Sequence, residues 1–512
     1  MMKLPFQRRF ANCCLVHFHF MPLFRPPASV SAIGQNARIA IVLIVMALFC
    51  GSPVAHAQTT SSDTTTAWTV RLGADALLAS DDGPAFWAYS NQYGTVDRTS
   101  SNGLIRAFAE RRTSFSPSLT FATGSEVIAR TSENPDAFAH QLYGRLRYHD
   151  FELQAGWWED APSGLLHPTL SIGSLGRSRH APTLPKIALR APSYVDVPGT
   201  NEALAVKGYF AHGWLGDDRY VPGSLLQDKS LYFRVFRPDQ RAQLHVGLLM
   251  HTIWAGTHPR YGDLPDGPIT FLRVMGGRAG DVDAPDIEQD GSLGASSAGY
   301  DLGASFSYGS TDVLLSRYFH HTDRPSLFFR NPWDGIWGLR VERPQGQLLE
   351  TVLWNHLRTT RQNARFSQGE ERGEDTYYNN SLYLSGWTYE NWVLGSPLML
   401  KNENGPGVSN NIVVAHHLGV AGQLPGDVDY RLKATYSRNY GAQHVCSDAS
   451  CTQRIDRRTP RTDQYSLMAD FSKTVNALTF RAAVFADSGA LYADRTSVLI
   501  GFSWKATGGP IF

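Results

Sequence analysis

From about residue 60 onward, apolar and polar positions alternate with a period of two, in stretches of about 8–12 residues separated by turn-forming clusters. Residues 142–157 show the pattern. Leu142, Gly144, Leu146 and Tyr148 share one face, and Tyr143, Arg145, Arg147 and His149 share the other. After a tight turn at His149-Asp150, the residues Phe151, Leu153, Ala155 and Trp157 continue the apolar face. Successive side chains of a strand point to opposite faces, so each such pair predicts an antiparallel hairpin. The same motif recurs. Leu231, Phe233 and Val235 turn at Pro238–Gln240 into Leu244, Val246, Leu248 and Met250. Leu302, Ala304 and Phe306 turn into Val313 and Leu315, and Leu418 and Val420 turn at Pro425-Gly426-Asp427 into Val428, Tyr430 and Leu432. Leu478, Phe480, Ala482 and Val484 follow, and the last strand reads Val498, Ile500, Phe502, Trp504. No extended helical period stands out, so the fold class is all-β.

The connections sort into two sets. Short turns alternate with long loops such as residues 159–201, 252–269 and 439–463. A soluble sandwich has no reason to sort them so consistently. A transmembrane barrel does, with short periplasmic turns, long external loops and apolar side chains facing lipid. Sixteen to nineteen candidate strands are legible, and 455 residues after a cleaved leader accommodate about 18. Aromatics near strand ends (Trp68, Tyr148, Trp157, Trp158, Tyr318, Trp337, Trp387, Tyr436, Trp504) suit interfacial girdles. The terminal Phe512 after an alternating strand also fits insertion into the outer membrane.

Composition narrows the choice. Of 512 residues, 47 are basic and 46 acidic, which removes the electrostatic case for a nucleic-acid partner. Residues 1–57 carry five basic and no acidic residues, around an apolar run at 39–50 that ends in Ala55-His56-Ala57. That is a secretory leader with a long forward extension, cut between Ala57 and Gln58. The mature chain, 58–512, is then a single barrel domain carrying a balance of about −4. It keeps only Cys446 and Cys451, and two cysteines five apart in a polar segment predict a small loop disulfide in an oxidising compartment.

Enzyme motifs do not emerge. Residues 173–176 do not form a Gly-x-Ser-x-Gly elbow, and no His-Glu-x-x-His occurs. His416-His417 and His320-His321 are adjacent, so on strands their rings diverge, and no metal is expected. Ser174 or Ser178 with His180 has no specific spacing. Trp157 and Trp158 ahead of Glu159 and Asp160 combine rings for stacking with carboxylates for hydroxyls, while an interfacial Trp pair reads equally well. Residues 173–190 (GSLGRSRHAPTLPKIALR) set Arg177, Arg179 and Lys186 in a Gly/Pro-rich loop. Such a loop can present guanidinium and backbone groups to an acidic or hydroxyl-rich ligand. It can equally fold into the lumen with its charges paired to wall carboxylates.

Seven ordered blocks resemble the Wzi family of capsule-assembly outer-membrane proteins. They lie at 173–187 (GSLGRSRHAPTLPKI), 206–214 (VKGYFAHGW), 247–256 (GLLMHTIWAG), 331–338 (NPWDGIWG), 383–397 (YLSGWTYENWVLGSP), 410–422 (NNIVVAHHLGVAG) and 435–441 (TYSRNYG). The resemblance implies an eighteen-stranded barrel with a luminal or periplasmic plug that includes a small helical element near the periplasmic end. It further implies a lectin-like, non-enzymatic role attaching capsular or surface polysaccharide, in the bacterial outer membrane. The stretch before residue 140 matches only loosely, and residues 81–101 show no clear amphipathic helix bundle. Together with the rings and charges above, this makes Trp157, Trp158, Arg177, Arg179, Lys186, His251 and Trp254 the expected glycan contacts. No cofactor is expected, the lipid of the outer membrane is the surrounding partner, and a monomer is expected. A porin or solute channel of the same architecture is the alternative.

Overall fold

The computed structural model describes residues 64–160, 164–289, 292–322, 331–364, 369, 372–373 and 375–509. The expected leader, its cleavage site at Ala57 and Gln58, and Phe512 lie outside the described residues. The alternating segments form long strands: β1 (Thr65–Ala79), β2 (Asn102–Ser116), β3 (Leu119–Thr131), β4 (Asp136–Tyr148), β5 (Phe151–Trp157) and β6 (Lys186–Arg190). They continue as β7 (Leu204–Trp214), β8 (Leu225–Val235), β9 (Ala242–Trp254), β10 (Ala295–Tyr308), β11 (Thr311–His321) and β12 (Gly335–Glu342). The last six are β13 (Thr351–Arg358), β14 (Val413–Leu424), β15 (Val428–Asn439), β16 (Thr462–Val475), β17 (Leu478–Gly489) and β18 (Arg495–Gly508).

Each strand pairs with the next, and β1 pairs with β18 from Trp68↔Gly508 to Ala79↔Ser497. The sheet therefore closes as an antiparallel barrel of 18 strands without a free edge. The two-residue strand Val195–Asp196 extends β6 along β7. Closure satisfies every ladder and removes the exposed edge that lipid would penalise.

The faces follow the sequence pattern. Leu146, Leu153, Leu189, Phe480 and Ile500 are exposed on the outer wall, whereas Gln154, Glu152 and Asp470 are buried on the inner one. Wall glycines make room for rings facing the lumen: a Cβ on Gly247 would lie 2.3 Å from the Tyr232 ring, and one on Gly299 would lie 2.4 Å from that of Tyr318. An outward apolar band around a polar lumen is the signature of an outer-membrane protein. Tight turns join β2 to β3, β4 to β5, β10 to β11, β14 to β15 and β16 to β17 at one end. The long connections gather at the other. By the barrel rule the turn end faces the periplasm and the loop end faces outward.

Two sequence boundaries move. Residues 159–201 read as one loop, yet β6 lies within it, with Ile187 and Leu189 outside and Lys186 and Ala188 inside. Five alternating residues between Pro185 and Pro192 are too few to stand out as a strand. The loop expected from residue 252 starts later, because β9 runs through His251 to Trp254.

The buried core is built largely from connections that turn back into the lumen. From residues 80–101, the Trp87 indole donates to Thr435 Oγ1 at 3.1 Å, and the Lys433 ammonium sits 4.1 Å from its ring. From the β5–β6 connection, the Leu165 amide donates to Asp301 Oδ2 at 2.9 Å, the Ile172 amide to Asn355 Oδ1 at 3.3 Å, and Leu170 O bonds His417 Nε2 at 2.6 Å. From the β13–β14 connection, the Trp387 indole donates to Gly176 O at 2.6 Å and the Tyr378 hydroxyl to Leu175 O at 2.5 Å. The helices α1 (Phe86–Tyr89), α2 (Pro268–Met275) and α3 (Asp286–Gln289) all belong to loop-end connections. Among the described residues no helix sits at the turn end, where the resemblance implied one. The loop between β15 and β16 is closed by a disulfide between Cys446 and Cys451, with a Cα–Cα separation of 4.7 Å.

Candidate functional site

At the loop end, α3, the first residues of β10 and the β13–β14 connection enclose a cavity of about 360 Å³. Its lining carries hydroxyls (Ser292, Ser296, Ser297, Thr322, Ser381), amides (Asn379, Asn380), two carboxyls (Glu288, Asp375) and the rings of Tyr378 and Trp387. No basic side chain lines it among the described residues.

The positions are fixed locally. The Asn379 side chain donates to Val408 O at 2.9 Å and accepts from the Val408 amide at 2.7 Å. The Asn380 oxygen accepts the amides of Leu382 and Tyr383, both at 2.9 Å, so its amide donors are not the groups that cap this turn. Gly386 is required, since it has φ +66° and a Cβ there would lie 2.2 Å from Tyr378 O. Asp375 accepts from the side chains of Thr322 and Asn363. Burial pushes the Glu288 carboxyl up to about 7, against the lowering effect of the Gly294 amide and the Tyr383 hydroxyl. Hydroxyl, amide and carboxyl groups beside aromatic rings suit a hydroxyl-rich ligand.

Beneath this cavity lies a buried charge cluster, and four of the seven expected contacts meet there. Arg177 Nε is 3.4 Å from Asp228 Oδ2 on β8, and His251 Nδ1 bonds Asp228 Oδ1 at 3.1 Å. The Lys186 ammonium donates to Asp160 Oδ1 at 2.9 Å and lies 4.3 Å from the centre of the Trp158 ring, and the Tyr209 hydroxyl donates to Asp160 Oδ2 at 2.8 Å. Gly176 packs flat against His251, where a Cβ would approach the ring to 2.6 Å. The loop's charges are thus paired inside the lumen, Arg177 with a wall carboxylate and Lys186, itself on the wall, with a loop carboxylate. Arg177, Lys186, His251 and Trp158 are all buried, so the folded chain does not present them at the rim.

The other three go elsewhere. Trp157 continues the outward face of β5 and donates its indole N–H to Ala139 O at 3.1 Å, as an interfacial residue would. Trp254 is buried against Val274, Leu293 and Phe271 and anchors α2. Arg179 stacks 5.1 Å from the Tyr93 ring, away from the Asp228 cluster.

Among the described residues, Glu126, His140 and Glu159 bring donor atoms within 4.8 Å of one another. They already bond within the protein: His140 Nε2 bonds Glu159 Oε1 at 2.9 Å, and the Gln141 amide donates to Glu126 Oε2 at 2.7 Å. Burial pushes the Glu159 carboxyl up, but His140, Arg179 and Arg106 outweigh it and hold it below the usual range. Sequence reasoning missed the 375–381 segment altogether. Its signal is a Tyr-Tyr-Asn-Asn run at 377–380, rings followed directly by amides, which has no alternation to mark it as wall.

No protein-family model matches the chain, and no curated protein sequence matches it. Among solved structures it is similar to Wzi, described as an outer membrane protein involved in group 1 capsule assembly in Escherichia coli and a carbohydrate-binding β-barrel. The two are 12% identical over 84% of this chain and 83% of that one, with a TM-score of 0.53. The likeness is one of fold. OccK7 (OpdD) of Pseudomonas aeruginosa is 10% identical over 87% of this chain and 100% of its own, with a TM-score of 0.40. OmpT of Vibrio cholerae is 8% identical over 88% and 100%, with a TM-score of 0.38.

Proposed function

We propose that this protein is a non-enzymatic, lectin-like outer-membrane barrel of the Wzi type that holds capsular or other surface polysaccharide at the cell surface. The observation that carries this reading is the loop-end cavity, where hydroxyls, amides and two carboxyls surround Trp387 and Tyr378, with no basic side chain among the described residues. A sugar ring offers matching hydroxyls and an apolar face, and a repeating polymer turns weak single contacts into retention through avidity. The carbohydrate-binding description of Wzi, which shares the fold, supports it. In this reading the inturned connections act as a plug and the barrel works as a monomer.

The deciding experiment compares cell-bound with released polysaccharide, at known total, in a deletion strain complemented with wild type or with Asp375→Asn/Asn380→Ala. Normal total polymer shifted into the medium, restored by wild type and poorly by the variant, is expected. Unchanged retention in the deletion strain overturns the reading. A solute channel is the second reading. It is favoured by the ion pairs that line the turn-end half of the lumen, such as Arg190–Glu152 at 2.5 Å and Arg481–Asp470 at 3.0 Å. It predicts steady ion conductance in planar bilayers, where the plugged lectin predicts little.

A further inference from the structure

The lumen holds a second cavity, at the opposite end from the loops and larger, about 480 Å³. The strand residues lining it lie near the tight turns: Lys207 on β7, Tyr232 on β8, His245 on β9, Ser305 on β10 and Arg340 on β12. No helix stands over this end among the described residues.

The other cations of this lining are paired. Asp160 is held by Lys186 and Tyr209. Arg190 Nη2 lies 2.5 Å from Glu152 Oε1, and Arg340 Nε lies 3.1 Å from Glu342 Oε2. Asp312 accepts the Ser307 hydroxyl at 2.5 Å. His245 is bonded on both ring nitrogens, to Tyr194 at 3.3 Å and to Ser305 at 3.1 Å. The exception is Lys207. Lys207 lies on the lumen side of β7, exposed to the water of the cavity, and has no hydrogen-bond or ion-pair partner among the described residues. Because Arg190 is already paired to Glu152, Lys207 is the cation of this lining left to pair an anion entering the cavity. Around that charge stand Tyr194 and Tyr209, both half-buried, and the Ser230 hydroxyl. The volume falls in the small-ligand range of about 300–1,000 Å³.

We infer that the turn-end cavity is a ligand site for a carboxylate-bearing mono- or disaccharide, with Lys207 pairing the carboxylate and the tyrosines flanking the sugar ring. This site goes beyond the polymer-holding function and does not use the loop-end cavity. Free carboxylic acids share the anionic chemistry, so the test separates the two sources.

The full-length protein in detergent is titrated calorimetrically with D-glucuronate, D-glucose and succinate. Glucuronate is expected to bind, with glucose and succinate each at least about tenfold weaker, since each lacks one half of the recognition. Lys207→Gln should weaken glucuronate by about tenfold and Lys207→Arg should retain it. Unchanged heat-modifiable gel migration certifies that each variant is folded. No heat with glucuronate, equal binding of succinate, or an undiminished Lys207→Gln variant overturns the inference. Polymer retention on cells carrying Lys207→Gln is expected to stay at the wild-type level, so failure here leaves the loop-end reading standing, and failure there leaves this one.

Discussion

The two cavities of this barrel are made from different kinds of chain. The loop-end cavity is walled mainly by connection residues, whose side chains spend much of their bonding on backbone groups of their own connection, Asn379 on Val408 and Asn380 on its own turn. What they leave to a ligand is hydroxyls, amides and carboxyls, with no basic side chain among the described residues. The turn-end cavity is walled mainly by strand residues, which pair along their own strand or with neighbouring strands, as Arg340 does with Glu342 and Arg190 with Glu152. What is left over there is a charge, Lys207. Loops can vary without disturbing the wall, whereas each inward strand residue is tied to its register partners. Chemistry at the outer end is therefore free to follow a changing polymer, and chemistry at the inner end is fixed by the barrel.

The sharpest way to break that contrast is to cut the junction between the two regions. Asp228→Ala strands Arg177 and His251 in a buried site, an effect of about 3–5 kcal/mol for removing one partner of a buried pair. The expected outcome is a lower thermal transition together with greater bilayer conductance, as residues 164–185 loosen from β8. A stable, silent variant would show that the loop is held by other contacts.

Next in size is a separation of the adjacent tryptophans. Trp158→Ala removes a buried ring under the Lys186 ammonium and should cost about 3–5 kcal/mol in thermal or denaturant unfolding. Trp157→Ala, on the outer wall, should cost under about 1 kcal/mol and leave polymer retention unchanged. Equal effects would contradict the inward and outward assignment of the pair.

The smallest expected effect is on pH, and the two connections should respond with opposite sign. Burial, reinforced by the field of Arg98, holds the His180 imidazole down at about 3 from 6.5. Between those values the unfolded loop takes up a proton that the folded loop refuses, so stability present above pH 6.5 is lost as pH falls towards 3. Glu288 lies the other way, raised from 4.5 to about 7 by burial. Its folded form keeps a proton that the unfolded form releases, so stability present below pH 4.5 is lost as pH rises through 7. Hydrogen exchange corrected for intrinsic rate should show the α3 connection better protected at pH 5 than at pH 8, and the segment around His180 the reverse. A common direction in both would refute the pairing of causes.

Much of the wall is legible in the order of residues alone. The outward faces of β4, β5, β9 and β17 can be written down from Leu146, Leu153, Leu248 and Phe480, because a strand decides locally, at every second residue, which side chain meets lipid. The tight turns at His149-Asp150 and Pro425–Asp427 are equally local. β6 escapes because five residues carry too little pattern. The site escapes for another reason: Arg177, Lys186, His251 and Trp158 are recognisable as interesting types, but not as an interior cluster.

The sequence by itself thus determines an all-β chain, its inner and outer faces, the sorting of turns from loops and a strand number close to 18. Only the tertiary structure decides that the β5–β6 connection enters the lumen, that Asp160 and Asp228 neutralise Lys186 and Arg177, and that Lys207 is left without a partner among the described residues. The physical reason is range. Facing is set by the backbone geometry of neighbouring residues, whereas charge pairing is set by register accumulated around a closed sheet, and no short stretch of sequence contains it.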